Sequence, residues 1–388
     1  MLRRALPAAL ILVLAAVAPA RPDSPLNEIA PAMQKFTDEG ELAGAVTVVG
    51  DANGVLHHEA VGFRDLAAKD AMKKDTLFRI ASMTKPITGI AVMILVDDGK
   101  LRPEDDLAKH LPEFANVHLA GGKKPSRAIQ VRDLLTHTAG LGNYPKELGD
   151  VYGKRDRTLA ECSKAIAGVP LNFEPGTKWA YCNPGIDTLG RLVEVLSGMS
   201  FEAFLQKRVF EPLEMKDTTF APTAEQRKRL ALTYNRKDGK LVPEMTLIGL
   251  PETIKHPIPA GGLVSCASDL VKLYRMMLHG GELNGKRILS EKAVAEMTRT
   301  QTGEIPTGFV NGMSFGYGWA VVKEPKGVTS MLSNGTYGHG GAFGTQAWVD
   351  PKRGLFVILL IQRNGLANAD ASPMRQKLQE LAVASVKK

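Results

Sequence analysis

The chain has 388 residues, 44% hydrophobic and 23% charged, an ordinary globular balance with length enough for one large core or two modest ones. Its formal net charge is +8, but the Lys and Arg residues are scattered and form no basic stripe interleaved with aromatics, which argues against nucleic acid as a partner. The three cysteines, Cys162, Cys182 and Cys266, cannot all pair within the chain, so one disulfide plus a free thiol, or no disulfide, are both open.

Residues 1–20 read as a secretory signal peptide. Arg3 and Arg4 give a basic start, Leu6 to Ala18 is an apolar run too short to span a bilayer comfortably, and Ala18-Pro19-Ala20 supplies a small-x-small cleavage site. An uncleaved anchor is the alternative. After cleavage no stable membrane span is expected, and the expected location is periplasmic or secreted.

Leu26, Ile29, Met33 and Phe36 then share one helical face. Ala45 to Gly50 reads as a strand, with Asn53-Gly54 as a hairpin turn into a second run, Val55 to Gly62. Met83 to Val96 is a helix apolar enough to be buried, ending at Asp98-Gly99. From about 101 to 254 short helices dominate and strand signals are few. Helical faces return at Leu270 to Leu278 and Ile288 to Met297. Four strand-like runs follow, Tyr317 to Val322, Thr329 to Leu332, Thr345 to Val349 and Leu355 to Ile361, and a last helix carries Met374, Leu378 and Leu381. Strands at both ends with helices between predict an α/β chain of the α+β type: an antiparallel sheet flanked by helices, with an inserted, mainly helical lobe. The sheet part is expected from 21–100 and 255–388, and the lobe from 101–254.

Three local patterns carry chemistry. In Ser82-Met83-Thr84-Lys85, at the start of the apolar helix, the i and i+3 side chains share a face, so the Lys85 amine reaches the Ser82 hydroxyl. Burial of that end would lower the Lys85 pKa and make it a base, and the Ser82 N–H at the helix start would serve an oxyanion. A bland alternative is Ser82 as a helix cap with Lys85 solvated. Ser385-Val386-Lys387-Lys388 repeats the spacing by chance. Tyr181-Cys182-Asn183 lies between Pro175-Gly176 and Pro184-Gly185 and is expected to be extended, which sets phenol and amide side by side. A nearby ammonium would let the Tyr181 phenol ionise below its usual pKa of about 10. Asn183 before Pro184 also fits a simple helix cap. His339-Gly340-Gly341 precedes the run Thr345 to Val349 and offers a backbone that a ligand approaches closely. His279-Gly280-Gly281 matches it in composition but reads as a helix end.

In this order the three patterns resemble the motifs of the serine β-lactamase and penicillin-binding-protein family, including class C β-lactamases, related esterases and D-amino-acid-specific peptidases. Supporting stretches are Asp75-Thr76-Leu77-Phe78-Arg79, Leu134-Leu135-Thr136-His137-Thr138-Ala139-Gly140-Leu141, Glu174-Pro175-Gly176, Gly261-Gly262-Leu263 and Gly316-Tyr317-Gly318-Trp319. The resemblance spans roughly residues 26 to 385. It implies an acyl-enzyme on Ser82, Lys85 and Tyr181 handling protons, an oxyanion hole from the N–H groups of Ser82 and Ala342, and neither metal nor cofactor. Substrate contacts would come from Asn183, His339, Gly340, Gly341 and Ala342. The expected function is hydrolysis of small esters, amides or peptidoglycan-derived substrates; a true β-lactamase or a non-hydrolytic penicillin-recognition or peptidoglycan-binding module are the alternatives. One departure stands out: β-lactamases of this type carry Lys-Thr-Gly where this chain has His339-Gly340-Gly341. His137 is expected to pack near the helix end closed by Gly140.

Two rival enzyme classes fail on context. Gly312-Met313-Ser314-Phe315-Gly316 fits a nucleophile elbow, which needs a helix after the serine, whereas Gly316 to Val322 reads as strand. None of the eight histidines has the spacing of a metal hydrolase.

Overall fold

The computed structural model describes residues 24–386; the expected signal segment lies outside them. Eight strands form one antiparallel sheet: β1 (Gly44–Asp51), β2 (Val55–Asp65), β3 (Asp70–Ala71), β4 (Met313–Phe315), β5 (Ala320–Val322), β6 (Tyr337–Gly340), β7 (Gln346–Asp350) and β8 (Leu355–Leu360), in spatial order β4-β5-β6-β7-β8-β1-β2-β3. The first and last thirds of the chain meet where β1 pairs with β8, with Val48 opposite Ile358. The main helices are α1 (Ile29–Asp38), α2 (Thr84–Asp97), α3 (Val131–Leu135), α4 (Leu159–Ala167), α5 (Asn183–Ser197), α6 (Ala267–Leu278), α7 (Glu291–Thr298) and α8 (Pro373–Val386).

Both faces of the sheet are covered, so its central strands are buried throughout. All six residues of β8 are buried, and their two-residue period splits them between two cores. Leu355, Val357 and Leu359 pack with Leu26, Ile29, Met33, Met374 and Leu378 of the terminal segments. Phe356, Ile358 and Leu360 join the larger core built on α2. Every residue of α2 from Thr84 to Leu95 is buried, as suits a helix apolar on all sides. It packs against α5, α7 and the sheet.

Three expectations need correction. Thr329 to Leu332 is not a strand: Gly327–Thr329 is a 3-10 turn in which the Thr329 hydroxyl accepts from the Lys326 N–H at 3.1 Å, a local bond that competes with sheet pairing. The strand is instead the glycine-rich β6, where Gly338 lies opposite Trp348 and a Cβ would fall 2.2 Å from the Ala347 carbonyl oxygen. Tyr317 to Val322 shortens to β5, because Gly318 turns the chain at φ +79°. The region 101–254 also holds a hairpin, Tyr234–Lys237 with Lys240–Pro243, turned by Asp238-Gly239, a pair that favours such turns.

At Gly89 helix α2 comes close to the loop that carries Tyr317. A Cβ there would lie 2.6 Å from the Tyr317 carbonyl oxygen. Helix propensity alone favours Gly89→Ala by about 1 kcal/mol, but overpacking costs about 1–3 kcal/mol. Gly89→Ala is therefore expected to lower stability by up to about 2 kcal/mol, read as a lower urea midpoint at an unchanged slope; a stabilised variant would contradict the packing.

Candidate active site

The two-residue strand Phe78–Arg79, paired with Val264–Ser265, leads into a 3-10 turn, Ala81–Met83, that continues directly as α2. Ser82 thus lies in the turn rather than in the α-helix itself. Ala81 holds φ +46°, a left-handed conformation that costs a residue with a Cβ about 1–2 kcal/mol and needs support from its surroundings. Support comes from the Thr345 hydroxyl, which donates to the Ile80 carbonyl at 3.2 Å, and from the Thr84 hydroxyl, which accepts from the Leu263 N–H at 3.3 Å. In 3-10 geometry residues i and i+3 eclipse, and Lys85 Nζ comes to 3.0 Å from Ser82 Oγ.

Lys85 is 1% exposed. Its Nζ donates to the Ala260 carbonyl at 2.7 Å and stands 4.6 Å from the centre of the Tyr181 ring. Burial pushes the Lys85 pKa down to about 7, against an upward pull from Asp187. The Tyr181 hydroxyl donates to Ser82 Oγ at 2.7 Å. The expected phenolate is not supported: burial drives the Tyr181 pKa well above 10, outweighing the Ser82 hydrogen bond. A lysine already neutral above pH 7 offers no cation at the pH where the phenol titrates, so Tyr181 is a neutral donor here.

The remaining predicted residues surround this triangle less directly. Cys182 is extended and serves as the cap of α5, its Sγ accepting from the Gly185 N–H at 3.4 Å. Asn183 is therefore the first helical residue and not the cap. Its Oδ1 is buried without a partner, and no hydrogen bond joins it to Ser82, Lys85 or Tyr181 among the described residues. His339 sits within β6, 4% exposed, its ring 6.2 Å from that of Tyr181. Burial, then the Lys85 charge, lowers its pKa to about 4, so it is neutral at pH 7. Gly341 brings β6 against the nucleophile turn, since a Cβ there would lie 2.5 Å from the Ile80 carbonyl oxygen. Neither the Ser82 nor the Ala342 N–H has an acceptor among the described residues, which leaves both free for an incoming oxyanion.

Asp187, Trp179 and Phe309, not singled out in the sequence, complete the site together with Phe315 and His137. Asp187 is 1% exposed on α5 and accepts the Ala260 N–H at 2.9 Å, so it holds the residue whose carbonyl accepts from Lys85. A carboxylate four residues after Asn183, inside the apolar stripe of Ile186 and Leu189, was the available signal. Trp179, Phe309 and Phe315 form an aromatic wall, with Phe309 4.9 Å from Tyr181 between ring centres. His137, at φ +60°, stacks on Tyr181 at 4.6 Å, and its Nδ1 accepts from the Cys182 N–H at 3.2 Å. It holds the Tyr181 segment in place.

Ser314 lies in β4, 1% exposed, with its hydroxyl bonded to that of Thr302 at 2.8 Å. No helix follows it, so the elbow reading fails. All three cysteines are buried free thiols.

The sequence matches the profile of the family described as Beta-lactamase over residues 29–381. It is 32% identical to esterase EstB of Burkholderia gladioli, aligning 83% of this chain with 86% of that protein. It is also 32% identical to penicillin-binding protein 4 of Amycolatopsis lactamdurans, across 89% of this chain and 87% of that one. Among solved structures, EstCE1, a hydrolase with promiscuous acyltransferase activity, superimposes with a TM-score of 0.78 at 26% identity, covering 94% of this chain and 99% of that one. With its motifs assembled around Ser82 and this likeness along nearly its whole length, the chain belongs to the beta-lactamase family.

Proposed function

We propose that this chain is a serine hydrolase that works through an acyl-enzyme on Ser82 and acts on small esters or amides in preference to β-lactams. One observation carries this: Ser82 Oγ lies within hydrogen-bond reach of both a buried lysine and a buried tyrosine. Neutral Lys85 takes the Ser82 proton as Oγ attacks the carbonyl carbon, and the free N–H groups of Ser82 and Ala342 receive the oxyanion. Tyr181 gives its proton to the leaving oxygen or nitrogen and regains one from the Lys85 ammonium. Water then attacks the acyl carbon with the same groups in reverse roles.

Substrate preference follows from the third motif. A Lys-Thr pair would offer a cation and a hydroxyl to a β-lactam carboxylate; here His339 is neutral and Gly340 has no side chain. Losing one charge-assisted hydrogen bond costs about 1.5–3 kcal/mol, or roughly 10- to 150-fold. An uncharged ester loses nothing, and the aromatic wall of Trp179, Phe309 and Phe315 suits an apolar substrate. The relatives named an esterase and a penicillin-binding protein fit the two sides of this choice. The signal-like residues 1–20 support export to the periplasm or the medium, where peptidoglycan-derived substrates are also within reach.

A fluorophosphonate should label Ser82 in the wild type and in Ser314→Ala, but not in Ser82→Ala, by intact mass and peptide mapping. An adduct on Ser314 would overturn the assignment, and labelling without turnover of any ester or amide would favour a recognition module. The pH profile of kcat/KM should rise through a pKa of about 7 as Lys85 loses its proton. Because the Asp187 charge raises that pKa, Asp187→Asn should move the rising limb to lower pH; a shift to higher pH, or none, would remove Lys85 as the base. Finally, p-nitrophenyl acetate should exceed a chromogenic cephalosporin in kcat/KM by about tenfold or more after correction for intrinsic reactivity. A tenfold advantage for the cephalosporin would refute the ester preference.

A further inference from the structure

Beside the triangle of Ser82, Lys85 and Tyr181 lies a narrow cavity whose lining includes Phe309, Phe315, His339, Gly340, Trp348 and Asp370. Asp370 belongs to none of the three motifs. It sits in a short 3-10 turn, Ala369–Ala371, where its N–H donates to Asn368 Oδ1 at 2.9 Å. Two neighbours fix its position. Gln346, opposite Gly340 in the β6–β7 register, donates from Nε2 to the Ala369 carbonyl at 2.9 Å and to Asp370 Oδ1 at 3.1 Å. Arg375 lies over the Trp348 ring at 4.1 Å and donates to the Asp370 carbonyl at 2.5 Å.

The carboxylate occupies the space that a side chain at residue 340 would need. A Cβ on Gly340 would fall 2.0 Å from Asp370 Oδ1 and 2.4 Å from Gln346 Nε2. Glycine at 340 and aspartate at 370 are thus one arrangement, and a hydroxyl-bearing residue at 340 would have to displace an acid that two hydrogen-bonding neighbours hold. Arg375, which also lines the cavity, pairs with the carboxylate only loosely, Nη1 standing 4.0 Å from Asp370 Oδ1, because its short hydrogen bond goes to the Asp370 backbone carbonyl. The Arg375 side chain is 1% exposed against 21% for Asp370, so the acid is the more accessible of the two charges. The Asp370 charge also reaches the site itself. It adds to the upward push that burial, the largest cause, exerts on the Tyr181 pKa against the Ser82 hydrogen bond.

We propose that Asp370 is a specificity-determining residue that sets the charge of the accepted substrate. Its carboxylate disfavours esters and amides carrying a carboxylate near the scissile bond and favours uncharged ones and those carrying an ammonium. Like charges at close quarters in a partly dry cavity select by repulsion as effectively as new contacts select by attraction. The inference rests on the assignment of Ser82 chemistry above and deepens it: the third motif lacks the cation for an anionic substrate, and an anion stands beside it.

Three aryl acetates of similar shape test the idea: methyl 3-acetoxybenzoate, 3-acetoxybenzoate and 3-acetoxy-N,N,N-trimethylanilinium, compared by kcat/KM after correction for hydroxide-catalysed rates. Asp370→Asn keeps an oxygen for Gln346 and removes the charge. It should raise the anionic-to-neutral ratio about tenfold and lower the cationic-to-neutral ratio. Unchanged ratios, or a common loss on all three esters, would overturn the proposal and leave the hydrolase assignment standing. If phenol release persists in Ser82→Ala, or no ester is cleaved by the wild type, the hydrolase assignment falls and this inference with it. Should Asp370→Asn fail to fold, the wild-type ratios between about 10 mM and about 0.5 M salt decide, because screening relaxes a charge preference. Ratios flat across that range would refute it.

Discussion

The burial of one amine organises this active site. Lys85 lies at 1% exposure with its Nζ between Ser82 Oγ, the Ala260 carbonyl and the face of Tyr181. Taking an ammonium out of water is costly, and the cost appears as a pKa lowered to about 7. At that value the lysine serves as a base near neutral pH and can hold the proton it receives. The same dryness keeps Tyr181 protonated, so the site contains a base and an acid made different by one environment.

Keeping an amine so buried requires partners from distant parts of the chain. The Ala260 carbonyl faces Lys85 because Asp187 on α5 holds the Ala260 N–H, and Thr88 on α2 donates to the neighbouring Pro259 carbonyl at 2.7 Å. The segment before Ala260 is anchored by Arg155, which is fully buried and donates to the His256 and Pro257 carbonyls, each at 2.8 Å. These bonds satisfy backbone groups in a loop that passes through the interior without regular structure. Asp187 therefore acts through Ala260, as a positioning residue, and through its charge.

On the opposite side of the serine, small residues govern the geometry. Gly338, Gly340 and Gly341 let β6 approach β7, Asp370 and the Ser82 turn at distances no Cβ would allow. The absence of side chains there is a packing requirement as well as an opening for substrate. It ties the third motif to the turn before α8, so the motif cannot be exchanged alone. Within a shared family fold, substrate preference can thus be set by a residue that no motif contains.

The sequence by itself determined the local chemistry and the broad architecture. The Ser82–Lys85 spacing, the buried helix α2 and the strands β1, β2 and β8 follow from periodicities of three to four or of two residues, which short windows of sequence display; the extended backbone expected from Tyr181 to Asn183 stops at Cys182, because Asn183 already begins α5. Hidden from it was what depends on contacts between distant segments. Strand β6 was missed because its glycines answer to close neighbours rather than to strand propensity, and Thr329 to Leu332 was misread because a side-chain hydrogen bond turned it locally. The neutral phenol of Tyr181, the support of Lys85 through Asp187 and Ala260, and the placing of Asp370 over Gly340 are effects of desolvation and long-range proximity. Only the tertiary structure decides these, because burial and electrostatics depend on what surrounds a group in space, and no local pattern encodes that.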